Sequence, residues 1–185
     1  MTSIPTSARP TSPARLTRFR WWHAVGIFAL ANAASAAPAG YGGDDAFYNS
    51  FRQPSVAPPD WLFAPMWVLL NLTSLYALYR VAHRPAATGV HKTFYISEGV
   101  FWITFATFTT LYFGMKSPML GALNTLVGLA ATAVSTRQAA KVDPIATTCL
   151  APRLAWLALA GFVSVYVALH NRDELIGAGP LAVGN

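Results

Sequence analysis

Two tryptophans, Trp67 and Trp156, are the side chains in this sequence best suited to hold or transform a ligand. Each indole offers a large π-face for stacking and an N–H that can donate to a carbonyl or a carboxylate. The indole ring is also oxidisable, so both residues are catalytic candidates as well as ligand contacts. Both lie in apolar segments, where a tryptophan is equally well explained as a core or an interfacial residue.

Other kinds of reactive site are not indicated by the sequence. Cys149 is the only cysteine, which excludes an intrachain disulfide and a cysteine-based metal cluster. The four histidines have no spacing typical of metal ligands. No Ser-His-Asp set, phosphate-binding loop or pair of carboxylates is recognisable. We therefore predict no metal site and no required cofactor.

The composition indicates a membrane protein. Of the 185 residues, 54% are apolar and only 11% are charged, against roughly 25% charged in soluble domains. So few charges cannot cover a soluble globule, and we predict a lipid bilayer as the main partner. The net charge of +6 does not predict nucleic-acid binding, because the basic residues flank apolar segments and form no single stripe.

Five apolar segments have about the length needed to cross roughly 30 Å of hydrocarbon. We predict an all-α membrane protein, a bundle of five transmembrane helices with a long loop between helices 1 and 2. The segments are residues 21–38 and about 61–79, 95–113, 119–136 and 147–169. The first segment also has the features of a secretory signal, since it follows basic residues and ends in alanines and a serine. We favour the helix because further spanning segments follow.

The predicted domain of five helices covers residues 21–171. Residues 1–20 read as a disordered basic tail, and residues 172–185 as a short polar C-terminal tail. The short connectors predict that consecutive helices are antiparallel neighbours. With the N-terminus inside, ten basic residues lie on the inner side and three on the outer side. This asymmetry predicts an N-terminus inside and a C-terminus outside.

A proline-stiffened loop leads into the second apolar segment. Pro58 and Pro59 hold the backbone extended, and Asp60 is suited to cap the helix that follows. Trp61 falls at the expected membrane interface, and Trp67 lies almost two turns deeper. The residues that define the spacing are Pro54, Pro58, Pro59, Trp61, Phe63, Pro65 and Trp67.

This spacing resembles the signature of the tryptophan-rich sensory protein family, which includes the translocator proteins (peripheral benzodiazepine receptors). A second match is Pro152-Arg153-Leu154-Ala155-Trp156, which resembles the Pro-Tyr-Leu-Ala-Trp at the start of the family's fifth helix. The resemblance covers about residues 24–171. It is strong in the second helix and at the start of the fifth, and weak in the third and fourth.

The resemblance implies a ligand pocket. In the family, the tryptophans matching Trp67 and Trp156 line one internal pocket for tetrapyrroles and similar flat apolar ligands, and the loop after the first helix covers its mouth. A bound porphyrin or haem is therefore expected. The ligand-binding residues implied are Trp61, Phe63, Trp67, Asn71, Phe101, Phe105, Phe108, Arg153 and Trp156.

Several positions depart from the family pattern. Phe101, Phe105 and Phe108 stand where the family's third helix carries Gln, Asn and Trp, and Asn71 and Arg153 each replace a Tyr. Phenyl rings in place of amides remove hydrogen-bonding groups that would orient a polar ligand. We therefore expect a more apolar pocket with a different ligand preference.

For two charged residues and one group of small residues, the sequence leaves more than one role open. Arg153 either pairs with a ligand carboxylate or acts as an ordinary positive-inside anchor, and Glu98 is placed to pair with Arg153 or with Lys92. The small residues Gly128, Ala131 and Thr132 either form a homodimer contact or pack inside the bundle.

The function expected from these observations is that of a membrane receptor or binding protein for a flat hydrophobic ligand, tetrapyrrole first, with a sensory or regulatory role. One alternative is a light- or oxygen-dependent porphyrin-degrading enzyme that uses Trp67 and Trp156. Another alternative is a non-catalytic accessory subunit of a larger membrane complex.

Overall fold

The structure, a computed structural model, describes residues 19–37, 44–85 and 87–182. These parts of the chain are helical and contain no strand, which confirms the predicted all-α class. The helices are α1 (Trp21–Ala36), α2 (Asp44–Asn49), α3 (Phe63–Ala82), α4 (Thr88–Thr109), α5 (Pro118–Ala139) and α6 (Pro144–His170). A 3-10 turn, Asp60–Leu62, leads into α3, and a π-helical turn, Thr110–Gly114, extends α4. Most of the predicted basic tail lies outside the described residues.

Three of the described helices are long and apolar enough to cross a membrane. They are Asp60–Ala82, Pro118–Ala139 and Pro144–His170. The other two long helices are α1, which has 16 residues and is about 24 Å long at 1.5 Å per residue, and α4, which includes Lys92 and Glu98.

The long helices surround a shared interior. Helix α5 packs against both α4 and α6, α6 packs against α3, and α1 contacts both α3 and α4. The short connector between α3 and α4 predicts that these two helices are neighbours, but their backbones make few contacts. The space between them is bridged by side chains, such as the rings of Trp67 and Phe105.

The starts of α5 and α6 follow from local sequence. Ser117 Oγ accepts a hydrogen bond from the Leu120 amide at 3.2 Å, and Asp143 Oδ1 accepts one from the Ala146 amide at 3.1 Å. In both helices a proline follows the cap, where its missing N–H costs no helical hydrogen bond. Helix α4 begins at Thr88, seven residues before the predicted start, because hydropathy marks only the apolar part of a helix that extends into the interface.

The segment before α3 is fastened to the helix ends. The hydroxyl of Tyr48 donates to the Pro58 carbonyl at 2.8 Å. Asn171, at the end of α6, accepts from the Arg52 amide at 2.8 Å and donates to the Arg52 carbonyl at 3.0 Å. These bonds hold residues 44–59 across one end of the helices.

Candidate functional site

A cavity of about 470 Å³ lies among the long helices and the segment that crosses their end. Its volume is within the roughly 300–1,000 Å³ of typical small-molecule sites. Helices α1, α3, α4, α5 and α6 all contribute to its walls, and residues 48, 58 and 60 contribute to one end. The cavity is therefore the candidate binding site of this fold.

Helical spacing brings the aromatic side chains to the cavity. Phe63 and Trp67 lie one turn apart on α3, and both line the cavity. Phe101, Phe105 and Phe108 do so from α4, since residues three or four apart share one face of a helix. Trp156 lines it from α6.

The rings form two clusters on the cavity wall. Phe63 meets Trp156 edge-on with ring centroids 5.7 Å apart, and Trp67 meets Phe105 at 5.2 Å. Phe101 and Phe105 are stacked at 6.4 Å. These separations are those of attractive aromatic pairs. The two indoles that the sequence analysis singled out thus border the same interior space.

Three of the predicted ligand-binding residues do not line the cavity. The Trp61 side chain is 69% exposed, because it precedes the first full turn of α3. Asn71 is fully buried one turn beyond Trp67, and neither its amide nitrogen nor its amide oxygen has a hydrogen-bond partner in the described structure. The third residue, Arg153, is also buried, and it is paired within the protein.

Arg153 forms a buried ion pair with Glu98, which resolves the alternatives left open for both residues. Its Nη1 donates to Glu98 Oε2 at 3.1 Å, its Nη2 contacts Glu98 Oε1, and Nη2 also donates to Ser135 Oγ at 3.2 Å. The guanidinium carbon lies 3.7 Å from the centroid of the Phe101 ring. Arg153 is therefore neither a solvated anchor nor a free cation facing the cavity.

Polar side chains on the cavity wall were not among the predicted ligand-binding residues, and most of their donors form hydrogen bonds within the protein. Asn124 Nδ2 donates to the Thr104 carbonyl at 2.9 Å, which joins α5 to α4, and Asn32 Nδ2 donates to the Phe28 carbonyl at 2.7 Å. Trp156 Nε1 is buried without a partner in the described structure. In the sequence, the residue that points to such polar wall positions is Asn124, because it is a lone amide in an apolar helix.

The small residues of α5 pack inside the bundle. Ala131 and Thr132 are buried. A Cβ added at Gly128 would lie 3.0 Å from Thr104 Oγ1, so α5 and α4 approach closely at that glycine. These three residues consequently offer no surface for a dimer contact.

The cavity end formed by the loop carries one carboxylate. Asp60 Oδ1 accepts from the Trp61 amide at 2.7 Å, and Oδ2 accepts from Asn49 Nδ2 at 2.8 Å. Burial raises the pKa of the nearby Tyr48 hydroxyl above its ordinary value, and the negative charge of Asp60 raises it further. In the described residues, no group of three or more His, Cys, Asp or Glu side chains is placed to hold a metal ion.

Comparison with known proteins places this sequence in a family. The sequence matches the TspO/MBR family over residues 24–169. It is 31% identical to the translocator protein of Bos taurus over 165 residues, covering 85% of this chain and 95% of that protein. It is 28% identical to the tryptophan-rich protein TspO of Chlorobaculum tepidum over 130 residues, covering 68% of this chain and 79% of that one.

These matches confirm the resemblance predicted from the proline and tryptophan spacing. A third similar protein is the translocator protein homolog of Schizosaccharomyces pombe, 31% identical over 132 residues, covering 67% of this chain and 77% of the homolog. The family match and the apolar helices identify an integral membrane protein that lies in a lipid bilayer. The chain belongs to the TspO/MBR family.

Proposed function

We propose that this protein is a membrane receptor that binds a flat hydrophobic ligand of the tetrapyrrole class and acts in sensing or regulation. The observation that carries the proposal is that Trp67 and Trp156 line one cavity of about 470 Å³ together with Phe63 and Phe105. Aromatic walls of this kind stack on planar rings and exclude water. The protein needs no cofactor for this role, and porphyrin or haem would be its ligand.

The proposal includes a topology. All five long helices cross the bilayer, with the N-terminus inside, the C-terminus outside and a membrane domain over residues 21–171. The loop before α3 then covers the outer mouth of the cavity. The distribution of basic residues supports this orientation, since Arg80, Arg84, Arg137 and Lys141 fall at the inner ends of α3 and α5.

A porphyrin-degrading reaction is the second candidate, favoured by the presence of both oxidisable indoles at the same cavity. Trp67 and Trp156 would be its catalytic residues. The aromatic cavity does not favour the roles of accessory subunit or homodimer, because neither role requires a cavity for a ligand.

Ligand titration tests the receptor. The purified protein in nonionic detergent is titrated in the dark into protoporphyrin IX or its dimethyl ester, and binding is followed by porphyrin fluorescence anisotropy, which does not depend on the protein's tryptophans. We expect saturable binding that weakens at least about tenfold in Trp67→Leu and in Trp156→Leu, the cost of about 1.4 kcal/mol of lost stacking.

Trp61→Leu is the matched control, because the Trp61 indole is exposed and does not line the cavity. The porphyrin affinity of this variant should equal that of the wild type. If saturable binding is followed by new absorbance bands under illumination, the protein also degrades the porphyrin, which supports the second candidate. If neither porphyrin binds saturably, or if Trp61→Leu weakens binding as much as Trp67→Leu, the receptor proposal is overturned.

A further inference from the structure

The charge on the described part of the cavity wall is negative. Asp60 is the one ionisable acid or base, apart from tyrosines, among the described residues that line the cavity, and no lysine, arginine or histidine lines it. Described cations at the same end are Arg52, Lys116 and Arg172, and all three are exposed outside the cavity. The charge that a ligand contacts on the cavity wall at this end is therefore negative.

The charge of Asp60 is not neutralised within the protein. Its two oxygens accept from a backbone amide and from the amide of Asn49, and both of these donors are neutral. The ion pairs of the described structure involve Asp143 and Glu98, and none of them includes Asp60. Neutral hydrogen-bond donors do not cancel the charge of a carboxylate, so its electrostatic field acts on its surroundings.

The groups beside Asp60 are also suited to a cation. The Tyr48 proton is donated to the Pro58 carbonyl, so the phenolic oxygen remains an acceptor. The ring of Tyr48 lies 5.3 Å from that of Phe63, which lies 5.7 Å from Trp156. Aromatic faces next to a carboxylate attract a positive group by cation–π interaction and repel an anion.

We propose that the cavity selects ligands by charge at its Asp60 end: a cationic group there is preferred, a neutral group is accepted, and a free carboxylate is disfavoured. The inference rests on the proposed receptor function and specifies its ligand. The preferred tetrapyrrole carries esterified or amine-bearing substituents at this end, and free-acid porphyrins bind weakly.

Three derivatives of one porphyrin test this order. They share the same ring but differ in charge: protoporphyrin IX is a free acid, its dimethyl ester is neutral, and its diamide with quaternary ammonium substituents is cationic. Affinities are measured by anisotropy in nonionic detergent at neutral pH and low salt. We expect the cationic diamide to bind about tenfold more tightly than the ester and the ester about tenfold more tightly than the free acid, with smaller differences at high salt.

Asp60→Asn isolates the charge. Asparagine keeps a side-chain carbonyl oxygen at the position of Asp60 Oδ1, so the amide of Trp61 keeps its acceptor. The ratio of cationic to free-acid affinity should fall about tenfold in this variant. Glu174→Gln is the matched control, because Glu174 is an exposed acid after α6 that does not line the cavity, and its ratio should equal the wild-type value.

The outcomes separate this inference from the receptor proposal. If the free acid binds as tightly as the cationic diamide, or if Asp60→Asn leaves the ratio unchanged, charge selection is wrong and the receptor proposal stands. If none of the three porphyrins binds saturably, the receptor proposal fails and the charge selection falls with it.

Discussion

At the scale of single residues, the ion pair between Arg153 and Glu98 is the most costly feature of the interior. Both side chains are at most 2% exposed, and removing such groups from water costs several kcal/mol for each ion. Bonds from two guanidinium nitrogens to the carboxylate, a bond to Ser135 and contact with Phe101 offset this cost. The pair joins α4 to α6 behind a ring that lines the cavity.

Glu98→Gln should destabilise the protein by about 3–5 kcal/mol, because it leaves the Arg153 charge buried without a counter-ion. The measurement is the free energy of unfolding in detergent, compared with wild type. Adding Arg153→Met to the Glu98→Gln variant should recover most of the lost free energy of unfolding, since the double variant buries no unpaired charge. A single variant as stable as wild type would contradict this account of the pair.

The aromatic part of the candidate site could be predicted from sequence, and the polar part could not. Phe63, Trp67 and Trp156 belong to motifs whose spacing fixes one helix face. Asn32 and Asn124 come from helices without a motif, so only packing against neighbouring helices shows that they reach the cavity. The sequence left open whether Glu98 pairs with Arg153 or with Lys92, and only the contact between side chains of two helices decides for Arg153.

At the scale of helices, the junction of α3 and α6 depends on Asp143. This residue caps α6 and accepts from Arg80 Nε at 3.0 Å and from Arg84 Nε at 2.6 Å, at the end of α3. Burial alone would raise the pKa of Asp143, but the hydrogen bonds from Arg84, the Ala146 amide and Arg80 hold this pKa well below its ordinary value.

Acid should therefore weaken this junction. A carboxylate with a lowered pKa contributes stability that is present above its unfolded pKa of about 3.9 and is lost as the pH falls below that value. Asp143→Asn keeps the cap and removes the charge, so it should cost about 1.5–3 kcal/mol at pH 7 and flatten the fall in unfolding free energy below about pH 4.

The control for that series is Lys141→Gln, two residues away. Lys141 is exposed and donates to Gln138, and the described ion pairs of Asp143 are with Arg80 and Arg84, so the pH profile of this variant should follow that of the wild type. An Asp143→Asn profile as steep as the wild-type profile would show that other carboxylates determine the acid sensitivity.

At the scale of the whole molecule, the number of membrane crossings depends on α1 and α4. Length and hydropathy make α3, α5 and α6 candidate spans, whereas α1 is short and α4 contains the buried Glu98. The packing of α4 against α5 and α1 and the neutralisation of Glu98 by Arg153 would allow this less apolar helix to cross. Both reasons are contacts in three dimensions, so the sequence pattern of α4 alone could not supply them.

Labelling of single cysteines tests the topology. In a Cys149→Ala background, Ser50→Cys lies before α3 and Ala140→Cys lies just after α5, and both positions are exposed. If α3, α4 and α5 all cross, an odd number of spans separates the two sites. A membrane-impermeant maleimide should then label position 50 in intact cells and position 140 only after permeabilisation. Labelling of both sites from one side would mean that an even number of these helices cross, and α4 would then be the one that does not, since α3 and α5 are the apolar candidate spans. The reversed pattern would mean that the N-terminus is outside.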